Sequence, residues 1–136
     1  MVTRIADANF LLRLITKAPK DHYEKARDVA QALEAAGGAI EVHPVHVAEA
    51  LYVLEGRIYG VPPEEAAKAL LLLLESRPFK PREAPALLNA LRRYPHAGLD
   101  FPDVFLAELA LGEEKALLTF NQKLKAYFAS RTRNLP

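Results

Sequence analysis

The segment Val2-Thr3-Arg4-Ile5-Ala6-Asp7-Ala8-Asn9 reads as a short strand, Val2 to Ala6, that ends on the polar residues Asp7 and Asn9. A brief helical run, Phe10 to Ile15, follows and stops at Ala18-Pro19. Strand and helix patterns then alternate to the end of the chain. Asp21 suits the N-cap of a helix from His22 to Ala36, whose Tyr23, Ala26, Val29, Ala30 and Leu33 recur at helical spacing before Gly37-Gly38. Ala39 to His43 alternates as a second strand. Pro44 opens a helix to about Tyr59, closed by Gly60, and Pro62-Pro63 opens another to Leu74. Phe79 to Arg82 reads as a short strand, Ala84 to Tyr94 as a helix and Pro95 to Gly98 as a loop. Asp100-Phe101-Pro102-Asp103 starts a helix that ends near Leu111-Gly112. Lys115 to Thr119 reads as the last strand and Gln122 to Phe128 as the last helix. Strands separated by helices predict an α/β fold, a short and mostly parallel sheet flanked by helices.

Length and composition narrow the classes. The 136 residues suit one domain, 1–136. The longest apolar run, Ala69 to Leu74, falls far short of the roughly 20 residues of a membrane span. Asp7 interrupts the stretch that a signal peptide would keep apolar, so a cytoplasmic protein is expected. There is no cysteine, which excludes disulfides and thiolate metal sites and leaves oxygen ligands, with His as the nitrogen option. His43 and His46 flank Pro44 at a spacing that is no zinc signature and read as surface or capping residues. The net charge of +1 points by itself to neither nucleic acid nor a membrane.

In open parallel sheets ligands bind beyond the carboxyl ends of the strands, and that rule gives the acids positional meaning. Asp7 follows the first strand directly, and Asn121 follows the last. Glu49 sits in a helix among Val47, Ala48 and Leu51, where an unpaired buried carboxylate would be costly. Asp103 lies in the first turn of its helix, three residues after Asp100. Each also has a structural reading. Asp100 and Asp103 resemble a capping box, Asp7 a turn residue, Glu49 a solvated helix acid, and Asn121 a turn residue beside Thr119. Were three carboxylates to converge, each pair ~4 Å apart would cost ~4 kcal/mol at an effective dielectric of ~20. A divalent cation removes that penalty, and among oxygen ligands Mg²⁺ or Mn²⁺ is the natural occupant.

Four stretches, taken in order, resemble the motifs of PIN-domain proteins: Ile5-Ala6-Asp7-Ala8-Asn9-Phe10-Leu11-Leu12-Arg13, Val47-Ala48-Glu49-Ala50-Leu51-Tyr52-Val53-Leu54, Leu99-Asp100-Phe101-Pro102-Asp103-Val104-Phe105-Leu106-Ala107 and Leu117-Leu118-Thr119-Phe120-Asn121-Gln122-Lys123-Leu124. The chain is most similar to the VapC-type toxins of bacterial and archaeal toxin–antitoxin pairs. The resemblance implies a three-layer fold and a Mg²⁺- or Mn²⁺-dependent ribonuclease, usually dimeric and inhibited by a small antitoxin. It carries metal-binding acids onto Asp7, Glu49 and Asp103, and puts Asn121 where the family usually has Asp. With a metal on the three acids, a bound water would attack the phosphodiester in line. Asn9, Thr119 and Asp100 are candidates for orienting water or phosphate.

Arg4, Arg13, Lys17, Lys123 and Lys125 are candidates for the RNA backbone, and each reads equally as a solvated charge. The apolar positions Leu33, Leu51, Leu54, Ile58 and Leu70 to Leu74 suggest a helical surface available for a homodimer. Two rivals remain. One is a catalytically weakened PIN-like module that binds RNA or protein, which Asn121 favours. The other, a phosphotransfer aspartate at Asp7, wants a second Asp where Asn9 stands.

Overall fold

A computed structural model describes residues 2–133; Met1 and Asn134 to Pro136, the ends of the expected domain 1–136, lie outside the described residues. Three strands, β1 (Thr3–Ala6), β2 (Ala39–Val42) and β3 (Phe79–Pro81), form a parallel sheet in the order β1-β2-β3, so β1 and β3 are its edges. Ala6 pairs with Val42, and Val42 with Pro81, which aligns the carboxyl ends of all three strands. The crossover from β1 to β2 carries helices α1 (Ala8–Thr16) and α2 (Lys20–Ala35). The crossover from β2 to β3 carries α3 (Pro44–Glu55) and α4 (Pro63–Glu75), and α5 (Ala84–Ala97), α6 (Phe101–Gly112) and α7 (Gln122–Arg133) follow. This mixed α/β architecture is the PIN-like fold expected from the motifs.

The core explains the helix pattern. Leu11, Ile40, Val42, Leu51, Leu54, Leu70, Leu87 and Leu91 are shielded from solvent and pack in one cluster with Phe101 and Val104. Each such side chain contributes about 1.5–3 kcal/mol of burial. Gly38 lets the end of α2 approach the sheet, since a Cβ there would meet the Val2 carbonyl at 2.6 Å. The Ala39 N–H donates to that same carbonyl at 2.9 Å.

Several expectations are corrected. Lys115 to Thr119 is not a strand: Ala116 to Phe120 joins no ladder, because among the described residues no strand partner lies alongside. The first strand begins at Thr3 and the second ends at Val42. The first helix begins at Ala8, because Asp7 caps it. The second starts at Lys20 with Pro19 before it, which puts Asp21 inside the first turn rather than at the cap. The third ends at Glu55, well before Tyr59, and α5 continues through Pro95 to Ala97, so the loop expected there is helix. The last helix runs to Arg133.

The surface expected to dimerise is corrected too. Leu33, Leu51, Leu54, Leu70 and Leu74 are buried within the chain, because the packed helices consume them; Ile58 and Leu72 stay exposed. Among the described residues no helix is long and apolar enough to cross a membrane.

Candidate functional site

Asp7 stands at the carboxyl edge of β1 with extended backbone, and its Oδ1 accepts the Phe10 N–H at 2.9 Å. Its turn reading holds, and the carboxylate remains exposed beside Asn9 and Arg13 in a cleft of about 490 Å³. Arg13 spends one guanidinium N–H on the Ala18 carbonyl at 3.0 Å. Lys17 ends α1 in the left-handed conformation, with its ammonium 6.0 Å from the Tyr23 ring centre. Arg4 is exposed on β1.

Asp103 and Asn121 meet elsewhere. Together with Asp100, Gly98 and Lys123 they line a cleft of about 410 Å³ at the N-terminal ends of α6 and α7. Asp103 is half-buried and Asp100 exposed. Asp100 occupies the cap position of α6, but its side chain makes no capping bond, so the capping-box reading fails. Asn121 behaves as its turn reading says: its N–H donates to Thr119 Oγ1 at 3.0 Å and its Oδ1 accepts the Leu124 N–H at 3.2 Å. A cation, Lys123, thus faces two carboxylates in one cleft, while Lys125 points to solvent.

Glu49 is corrected. Its side chain is 59% exposed, on the outward face of α3 beside Val45 and Tyr52, and it pairs with His46 at 3.3 Å. The apolar neighbours Val47, Ala50 and Leu51 point inward, so the acid carries no buried-charge penalty.

Two acid clusters escaped sequence reasoning. Glu41 and His43 share one face of the chain leaving β2, and the His43 ring nitrogen lies 2.8 Å from the carboxylate. Arg82, just past β3, donates to the same acid at 3.3 Å. The His43 bond, then Arg82, hold the Glu41 carboxyl below its ordinary range against some desolvation. The alternating stretch Ala39 to His43, with polar residues two apart, was the available signal.

Glu108 is the other. It is buried on α6 and accepts bonds from Arg131 (two at 2.8 Å) and from the Tyr127 hydroxyl (2.8 Å) on α7. Burial pushes its carboxyl up, but the two donors outweigh burial and hold it below the usual range. Burial, reinforced by Glu108, pushes the Tyr127 phenol up to about 12.

The PIN domain family matches residues 4–128, nearly the whole chain. The chain is a PIN-domain protein. No match was found among the curated proteins or among the solved structures. PIN domains are generally nucleases, act on nucleic acid and usually use divalent metals. The side chains of this PIN domain do not fit such a metal within one chain. Among the described residues no three of Asp, Glu and His are grouped so as to hold an ion, and Asp7 and Asp103 line separate clefts.

Proposed function

We propose that this PIN domain hydrolyses RNA phosphodiester bonds as a Mg²⁺- or Mn²⁺-dependent endoribonuclease, and serves as the toxin of a toxin–antitoxin pair held in check by a small antitoxin. The family match across residues 4–128 carries the reading, because it spans the four motif stretches that contain Asp7, Glu49, Asp103 and Asn121. Asp7, Glu49 and Asp103, which are not grouped within the one chain, are the proposed metal ligands once they are brought together, and Asn121 offers an amide where a fourth acid would add charge. Lys123, which lines the cleft with Asp100 and Asp103, is the proposed phosphate contact, and Arg4, Arg13, Lys17 and Lys125 are proposed as further cations for the backbone of a bound strand. Asn9, in the cleft with Asp7, and Thr119, bonded to the Asn121 N–H, are the proposed groups for orienting water or phosphate.

The separation of the acids favours a second reading, a weakened PIN module that binds RNA without cutting it. Labelled single-stranded RNA incubated with the purified chain separates the two. The nuclease reading expects discrete fragments in Mn²⁺ that vanish with chelator and with Asp103→Asn. Retention of RNA on a filter without fragments, at any metal concentration, selects the binding module.

A further inference from the structure

Two unsatisfied surfaces in this chain are complementary. The first is the outer edge of β1, an end strand of the sheet that leaves Val2 52% and Ile5 68% exposed. An open edge is a template for strand addition, and natural folds ordinarily cover or charge it; on β1 Arg4 is the exposed charge, beside exposed Val2 and Ile5. The second is the stretch Lys115 to Phe120, which alternates as a strand but joins no ladder and leaves Leu118 93% and Phe120 99% exposed. Large apolar side chains displayed together at that level mark an interaction surface.

Both ends of the stretch are fastened to the helices α6 and α7. At its start the Lys115 N–H donates to the Ala110 carbonyl of α6 at 2.8 Å, and Glu114 turns with a φ of +56°. At its end Asn121 caps α7. The buried Glu108–Arg131 pair clamps α7 to α6, and α6 packs on α5, which packs on α4 and on β3, the opposite edge of the sheet. The stretch is therefore held with the β3 side of its own chain and leaves its own β1 uncovered.

We propose that the occupant of the β1 edge is residues 115–120 of a second copy, and that two copies exchange these strands reciprocally about a two-fold axis. Val2, Ile5, Leu118 and Phe120 present roughly 500 Å² of apolar side chain per copy, on the order of 1,000 Å² for the pair, which together with the backbone ladder reaches the range of a specific interface. Pairing in the parallel sense of the existing sheet sets the carboxyl end of the added strand beside the carboxyl end of β1. That places Asp7 of one copy next to the Asp103–Asn121 cleft of the other. The acids that one chain keeps apart then face each other across the interface. This last consequence rests on the proposed nuclease reading, whereas the strand exchange does not.

The chain has no cysteine, so cross-linking reports the exchange cleanly. Ile5→Cys in one preparation is mixed with Leu117→Cys, Leu118→Cys or Thr119→Cys in another, and the mixtures are oxidised. Covalent dimers that form in a mixture, and fail to form after Leu118→Pro removes a ladder N–H, are expected. A doubly substituted chain that closes its disulfide at monomer mass shows the stretch on its own β1 and overturns the exchange. So does an absence of cross-links beside a monomer in light scattering. The composite site has its own arm: inactive Asp7→Asn and inactive Asp103→Asn are mixed and refolded together. One intact site in each mixed dimer restores about a quarter of wild-type cleavage. No restoration, with cross-links present, overturns the shared site and leaves the exchange standing; a wild type inactive on RNA, with cross-links present, removes the nuclease reading alone.

Discussion

Asp7 combines two roles that one substitution separates. Its Oδ1 caps α1 through the Phe10 N–H, and Asn caps a helix about as well as Asp. Asp7→Asn should therefore keep thermal stability to within about 0.5 kcal/mol while removing the charge proposed to hold a metal. RNA cleavage should fall by a hundredfold or more, on the order of 3 kcal/mol of barrier. A variant that melts normally and cuts normally makes Asp7 a cap and nothing else. Asn121 allows the opposite change. Its side chain caps α7, so Asn121→Asp keeps the cap and adds a charge to the cleft that holds Asp100 and Asp103. Calorimetry should show Mn²⁺ bound about fivefold more tightly, roughly 1 kcal/mol; equal affinity in the two proteins would place the ion elsewhere. These two residues were legible because a turn or cap is decided within three or four positions of sequence. Glu49 was not: whether an acid beside apolar residues is buried depends on which side of α3 the core lies, and the 59% exposure settles it.

At the scale of elements, the strands β1 to β3 and the helices between them were legible from apolar periodicity and from Gly and Pro punctuation, with errors of a few residues at the ends. Lys115 to Thr119 shows the boundary of that approach. Alternation says a stretch can pair, but pairing needs a partner strand, and no local rule supplies one. Glu108 was invisible for the same reason, since Arg131 lies 23 positions along the chain. That buried pair makes a firm prediction. Arg131→Ala leaves a carboxylate without its charge partner and should cost roughly 3–5 kcal/mol in denaturant unfolding. Loss of less than about 1 kcal/mol would mean that α7 is not clamped to α6.

The pH dependence of this clamp follows from the direction of each shift. Glu108 is held below its usual value of 4.5, so its contribution is present above that pH and is lost as pH falls through the lower folded value. Tyr127 is raised from 10.0 to about 12, so its contribution is present below pH 10 and is lost between 10 and 12. Wild type should thus lose its stability advantage over Glu108→Gln at both extremes. A constant difference from pH 3 to pH 12 would contradict the clamp.

The whole molecule combines membership of a family that is generally nucleolytic with acids that, among the described residues, form no cluster of three. If two copies complete the site, metal, dimer and activity are linked. Mn²⁺ at a hundred times its dissociation constant should stabilise the protein by about 2.7 kcal/mol, and more of it should be dimer. Thermal melts unmoved by millimolar Mn²⁺ would speak against any ion in the fold.

The most direct measurement is the RNA cleavage rate per chain as the protein is diluted, with light scattering on the same samples. A site shared between copies predicts that the rate per chain falls in step with the fraction of dimer and disappears in the monomer. A rate per chain that stays constant into the range where scattering shows only monomer would contradict it, and would return the whole active centre to one chain.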